Sequence, residues 1–556
     1  MGVTIVMFPG PLESHSVPMI ELSNRLLRHH ADLNITILLS RNAATRPLTP
    51  RLSFIELPYV EPSTGAQMNL AETLIGHVDR LKPVVADALA SILNTNVAVP
   101  AFVVGMFGTT MIDVAADLGV PAYIFFTTSA TGLGVFLHLP VVDSKYKEDE
   151  WRAHMEGIDV AGLHMVPPLD FISVLGYKQS PAYTWFLNSS RQYVKAQGII
   201  VNSFNDLETK ALEALAQGAY LPAGHTMPSI YPVGPLLGLD GRQAEFADHP
   251  CIKWLDGQPN SSIVFLCFGG MGTFSTEQAR EIALGLELSG HGFLWSLRVQ
   301  SGSKETDLQA ALPDGFLERT KSLGLVWTES APQVSILAHP AVGGFVTHCG
   351  WNSVLETMWF GVPMVGWPLY AEQRLNAFVL AKELGILCGR LKKEEDDDEA
   401  LVEAKDVGET VRRLMEEEEG RRAREKTLRM KELGRKAVEE GGSSIQPLFF
   451  HVYASFDAGK AVAFLGGELL LLGGGDCLPV STFSFIEISE KQRGRPSPTP
   501  TRTAHRHPQV GGGDILPSIN FLNEKRKKQS GGRCFPVTAA SLSWPAREVG
   551  SGKKRC

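Results

Sequence analysis

Few cysteines, no long apolar run and no excess of positive charge set the first bounds on this 556-residue chain. Its seven cysteines form no Cys-x-x-Cys pair and are odd in number, which speaks against a disulfide scaffold and for a reducing compartment. The longest late apolar run, residues 461–472, is interrupted by Glu468 and falls far short of the roughly 20 residues of a membrane helix. Residues 1–8 are apolar but lack a basic start and a small-residue cleavage site, so they read as a buried strand rather than a targeting segment. The cytoplasm is the expected location. A net charge of -8 argues against a general nucleic-acid surface, which needs clustered cations. Also missing is a Gly-x-Gly-x-x-Gly after a first strand with an acid about twenty residues later. Gly269-Gly270-Met271-Gly272 does not supply it, which weighs against a nicotinamide-dependent oxidoreductase.

What is present is ordinary globular composition, 44% hydrophobic and 20% charged, in a chain too long for one core. Short β-branched runs at 3–8, 35–39, 101–104, 123–126 and 198–202 read as buried parallel strands. Helical patterns at 19–30, 70–93, 111–118 and 207–216 alternate with them, which implies a doubly wound sheet. Residues 221–240, rich in proline and glycine, read as a linker. A second set follows, with strands at 263–268, 293–297, 342–347 and 363–367 and helices at 276–289 and 353–360. The predicted helix 406–440 is dense in charge and reads as a solvated face. So does the run holding Asp396 to Asp398, which is therefore not taken as a metal site. The expected domains are 1–240, 241–446 and a tail, 447–556. That tail loses the strand–helix rhythm. It carries 15 Lys and Arg against 8 Asp and Glu, a surplus of seven that leaves the rest at -15. It is expected to be disordered, or translated non-coding sequence.

The chemistry concentrates in residues 330–373. A strand ending at Thr347 turns through His348-Cys349-Gly350-Trp351-Asn352-Ser353 into a helix. Backbone N–H groups at such a helix start form an anion site, and His348 adds a side-chain donor. Glu356, one turn on, can accept from a ribose diol. Glu372 and Gln373 offer the acceptor and donor that a polyol ring requires.

These 44 positions closely resemble the signature box of plant secondary-product glycosyltransferases, the family-1 UDP-dependent enzymes. The likeness extends along nearly all of residues 1–446, and Ser262-Ile263-Val264-Phe265 and Trp367-Pro368-Leu369-Tyr370 look most like members that glycosylate flavonoids and phenols. It implies the GT-B fold, two Rossmann-like doubly wound α/β domains facing across a cleft, the first binding the acceptor and the second the UDP-sugar. It further implies inverting transfer of a hexose, glucose foremost, from UDP-glucose or another UDP-hexose to a phenolic hydroxyl. No metal or other cofactor, no membrane span and no nucleic acid are expected, and a monomer is. Position by position, Ala331 and Gln333 match residues that hold uracil and ribose, and Glu356 the ribose ligand. His348, Trp351, Asn352 and Ser353 match diphosphate ligands. Trp351, Glu372 and Gln373 match sugar ligands, and Thr127 a residue near the sugar. His15, in Ser14-His15-Ser16-Val17-Pro18, matches the catalytic base.

Three positions depart from the family pattern. Gly105 stands where an Asp orients the catalytic histidine, so Gly105→Asp is expected to raise turnover. Ser330 stands where a Trp stacks on uracil, and Gly270 replaces a hydroxyl residue near the phosphates. The rival reading is a weakened or silent UDP-sugar binder.

Overall fold

The computed structural model describes residues 3–40, 49–61, 70–146, 157–172, 178–239, 246–298, 311–391 and 400–445, and two short strands further on. In the first half the chain runs β1 (Val3–Phe8), α1 (Glu13–His29), β2 (Leu33–Leu39), β3 (Leu52–Glu56), α2 (Leu70–Leu93) and β4 (Phe102–Gly105). It continues through α3 (Met111–Asp117), β5 (Ala122–Phe126), α4 (Ala130–Lys145), α5 (Pro181–Tyr193), β6 (Gly198–Val201), α6 (Thr209–Ala216) and β7 (Ser229–Pro232). These strands form one seven-stranded sheet in the order β3-β2-β1-β4-β5-β6-β7, and all its pairs are parallel. Strand periodicity sends Val6 and Phe8 into the core on one face and Ile5 and Met7 into the core on the other. That is why β1 is apolar at every position but Thr4.

The second half repeats the plan with α7 (Pro250–Asp256), β8 (Ile263–Cys267), α8 (Thr276–Ser289), β9 (Gly292–Ser296), α9 (Phe316–Arg319), β10 (Gly324–Trp327) and α10 (Gln333–Ala338). Then come β11 (Val342–Thr347), α11 (Trp351–Phe360), β12 (Met364–Gly366), α12 (Gln373–Phe378), β13 (Leu387–Arg390), α13 (Ala404–Glu416) and α14 (Glu418–Val438). Its six strands lie in the order β10-β9-β8-β11-β12-β13. In both sheets the order reverses beside the first strand, which places the cleft-forming loops at the carboxyl ends of β1, β4, β8 and β11.

Several elements differ from the sequence reading. Part of the stretch read as a linker is β7, which pairs with β6 through Ser229 to Pro232. The single charged helix is two, because Glu417 is extended at φ -86° and ψ 168°. Helix α1 starts at Glu13, six residues early, and carries Pro18 inside it. Beyond α14 the chain also returns to the first half. Ile445 is buried among Met19, Leu22, Tyr123 and Val233 in the core under the first sheet. Of the tail, β14 (Ala461–Leu465) and β15 (Glu468–Leu472) pair antiparallel. The rest of it, and Asp396 to Asp398, lie outside the described residues.

Candidate active site

His15 sits in the first turn of α1, whose start has no side-chain cap. Its ring lies parallel to that of Phe107, with centroids 5.3 Å apart and planes 10° apart. Its Nδ1 is buried with no hydrogen-bond partner among the described residues. Burial lowers its pKa from 6.5 to about 4, because a desolvated imidazolium is disfavoured. The ring is therefore neutral near pH 7 and able to accept a proton. No carboxylate faces it from Gly105, and Asp113 is turned to Lys195 at 3.8 Å. Behind Phe107, Trp185 and Phe186 continue an aromatic wall, with Trp185 and Phe186 5.2 Å apart and edge-on.

On the other side of the cleft, β11 delivers His348 at its end. Cys349 then adopts a left-handed φ of 62°, and Gly350 caps α11 without any side-chain bond. The amides of the first helical turn are thus left open, and their dipole favours an anion. The His348 ring is held between two glycines. A β-carbon at Gly269 would come 2.7 Å from its Nε2, and one at Gly350 would overlap the ring. Burial lowers the His348 pKa to about 4, against a smaller upward pull from the Cys267 backbone.

Gln333 bridges the next two site residues, its Nε2 donating to Ser353 Oγ at 2.8 Å and to Glu356 Oε2 at 2.7 Å. Ala331 lies just before it, and Ser330 is exposed. Trp327 does not cover Ser330, because its ring packs edge-on against His249 at 5.2 Å. Around Gly270 no atom of the described residues lies within 4 Å of a β-carbon built there. The Arg298 guanidinium donates to the Gly270 carbonyl, a cation that no sequence motif announced.

Burial raises the Glu372 pKa, against smaller downward pulls from its own backbone amide and the Thr128 hydroxyl. Gln373 is half spent, since its Oε1 accepts from the amides of Leu369 at 2.8 Å and Tyr370 at 3.1 Å. Only its NH2 remains for a sugar hydroxyl. Trp351 is buried and its indole N–H donates to the Asn202 carbonyl at 2.8 Å, so of its donors only the backbone amide faces the open helix start. Thr127 is buried with its hydroxyl against Met106 Sδ at 3.5 Å. The next turn is fixed by Glu208, which sequence reasoning missed. Its buried carboxylate accepts from Ala130 N, Thr131 N, Thr131 Oγ1 and Ser203 Oγ at 2.5–2.9 Å. Asn376 Nδ2 donates to the Cys349 carbonyl at 2.9 Å while Ser129 Oγ meets Asn376 Oδ1 at 3.4 Å.

The two halves are also joined by Arg390, which grips the fully buried Asp170 through two bonds of 2.9 and 2.5 Å. Asn352, second in α11, reaches the opposite half, its Nδ2 donating to the Ser14 carbonyl at 3.1 Å. Among the described residues no three His, Cys, Asp or Glu side chains converge as a metal set. No described helix is long and apolar enough to cross a membrane.

Residues 210–401 match a family model described as UDP-glucoronosyl and UDP-glucosyl transferase. A putative UDP-glucose flavonoid 3-O-glucosyltransferase 3 from Fragaria ananassa is 39% identical, covering 80% of this chain and 97% of its own. Malvidin galactosylase UGT88C3 from Oryza sativa subsp. japonica is 40% identical, covering 79% and 95%. Phytolacca americana UGT2, solved with UDP-2-fluoro-glucose and pterostilbene, superposes with a TM-score of 0.69 at 34% identity, covering 80% of this chain and 98% of its own.

Proposed function

The chain belongs to the UDP-glucuronosyl and UDP-glucosyl transferase family and is a UDP-glycosyltransferase of the GT-B fold, and from that premise we propose that it moves a hexose, glucose foremost, from its UDP-sugar to a small phenolic or flavonoid hydroxyl. His15 takes the proton from the acceptor hydroxyl as the oxygen attacks the anomeric carbon. The bond from that carbon to the β-phosphate oxygen breaks on the opposite face, so the carbon inverts and UDP leaves. The open amides of α11 and neutral His348 receive the charge of the departing diphosphate. Gln333 and Glu356 hold the ribose, Ala331 lies along the uracil, and Asn352 and Ser353 meet the phosphates. Glu372, the Gln373 amide and the Trp351 backbone hold the sugar hydroxyls, with Thr127 nearby. The observation that carries this reading is the uncapped start of α11 lying within one side chain of the His15 turn.

A second reading, a UDP-sugar binder with weak or no turnover, draws on the unpartnered Nδ1 of His15 and on Gly105. One experiment separates the readings. UDP and NAD are titrated calorimetrically, and UDP-glucose and UDP-galactose are supplied with a panel of flavonols and hydroquinones. Transfer that is lost in His15→Ala while UDP affinity stays supports the enzyme. UDP binding without transfer supports the silent binder, and NAD binding without UDP binding sinks both.

A further inference from the structure

Helix α1 contains a gap in its own hydrogen bonding. The amide of residue 18 would donate to the carbonyl of residue 14, four positions back, but Pro18 has no N–H. The Ser14 carbonyl, directly before His15, is therefore left without its intrahelical donor. Asn352 supplies one from the other half of the molecule, Nδ2 to oxygen at 3.1 Å. A primary amide nitrogen carries two hydrogens. One is spent on Ser14, and the second is free for an oxygen held at the uncapped start of α11. Asn352 Oδ1 is buried without a partner among the described residues, so the side chain is oriented by its N–H groups.

Resting on the function proposed above, we infer that Asn352 is a positioning residue that ties His15 to donor occupancy, with one N–H on the Ser14 carbonyl and the other on the diphosphate. The need for such a tie is local. Among the described residues no carboxylate orients His15, so Phe107 behind the ring and Asn352 across the cleft define where it points. A bound diphosphate fixes the amide, the amide fixes the Ser14 carbonyl, and the His15 turn is set for the acceptor. Acceptor affinity then rises when the nucleotide is bound, and by linkage nucleotide affinity rises equally when the acceptor is bound.

The test uses the full chain, UDP, and the phenol that the panel turns over fastest. Calorimetry gives the phenol Kd with and without saturating UDP, and the UDP Kd alone. In the parent protein UDP is expected to tighten phenol binding about ten-fold. Asn352→Ala is expected to erase that difference and to lower kcat about a hundred-fold at saturating UDP-glucose. Asn352→Asp keeps the side-chain volume but cannot donate, and it reads the same quantities if the alanine variant melts early. A parent without coupling, or variants that only raise the UDP Kd while kcat at saturation holds, would overturn the inference and leave Asn352 a plain phosphate ligand. A parent that binds no UDP would overturn the proposed function instead, before any variant is compared.

Discussion

Gly105 lies against Pro9 so closely that a β-carbon at residue 105 would overlap the Pro9 carbonyl oxygen and sit 2.9 Å from its carbonyl carbon. The obstruction is backbone, so it cannot swing aside as a side-chain end would. Restoring the missing acid by Gly105→Asp is therefore expected not to raise turnover, contrary to the sequence expectation. Overpacking of this kind costs about 1–3 kcal/mol, seen as a lower Tm. A Gly105→Asp protein as stable as its parent and faster at saturating substrates would show that the β1 loop yields.

The pH dependence follows from His15. With its pKa lowered to about 4 by burial, the imidazole is already neutral at pH 5. The pH profile of kcat/KM is thus expected to stay level from pH 8 to about 5 and to fall only near pH 4. An acid limb near pH 6.5 would mean that water or a charge partner reaches the ring and burial does not lower its pKa.

Stability should follow the same two histidines with a definite sign. Unfolded His15 and His348 protonate near 6.5, while the folded rings resist protonation down to about 4. Between those values the unfolded chain binds more protons, so stability falls as pH falls through that window. The loss is about 3 kcal/mol for buried His348 when complete. Urea melts at pH 7, 5.5 and 4.5 would read it, and replacing His348 by Asn should remove its share of the trend and leave that of His15.

Two positions on the donor side offer gains. Ser330 is exposed, so Ser330→Trp has room for a ring over the base and is expected to tighten UDP binding by about 1–3 kcal/mol. Open space at Gly270 accepts a hydroxymethyl group, and Gly270→Ser is expected to add about 1 kcal/mol through a new hydrogen bond. Calorimetric titration with UDP checks both. A Ser330→Trp protein with the parent's Kd would mean that the loop points the ring away.

Ile445→Ala removes a side chain only 2% exposed in the core under the first sheet. A loss of about 3 kcal/mol is expected, read by denaturant unfolding. An unchanged midpoint would mean that the segment contributes nothing to that core.

The sequence makes the alternation of the two sheets legible because β1, β5, β8 and β11 are buried on both faces and carry apolar or small residues at all but Thr4 and Thr347. Edge strands were harder. Residues Ser229 to Pro232 carry Pro232 and side chains that are exposed or half-buried, so turn chemistry outweighs their strand character. At the site, His348, Glu356 and the α11 start follow from local order alone. Other roles depended on neighbours distant in the chain. Gln373 spends its oxygen on the loop before it and Trp351 its indole on Asn202. Glu208 gathers four donors from segments that no linear motif joins.

The seat filled by Ile445 bears on how the protein is made. Seven parallel strands of the first half are complete once β7 leaves the ribosome, yet one apolar place beneath them awaits a residue encoded after the whole second sheet. Until then the nascent chain carries wet apolar surface between Leu22 and Val233, the kind of surface that recruits chaperones or aggregates. Translation speed through the second half therefore sets how long the first half travels unsealed.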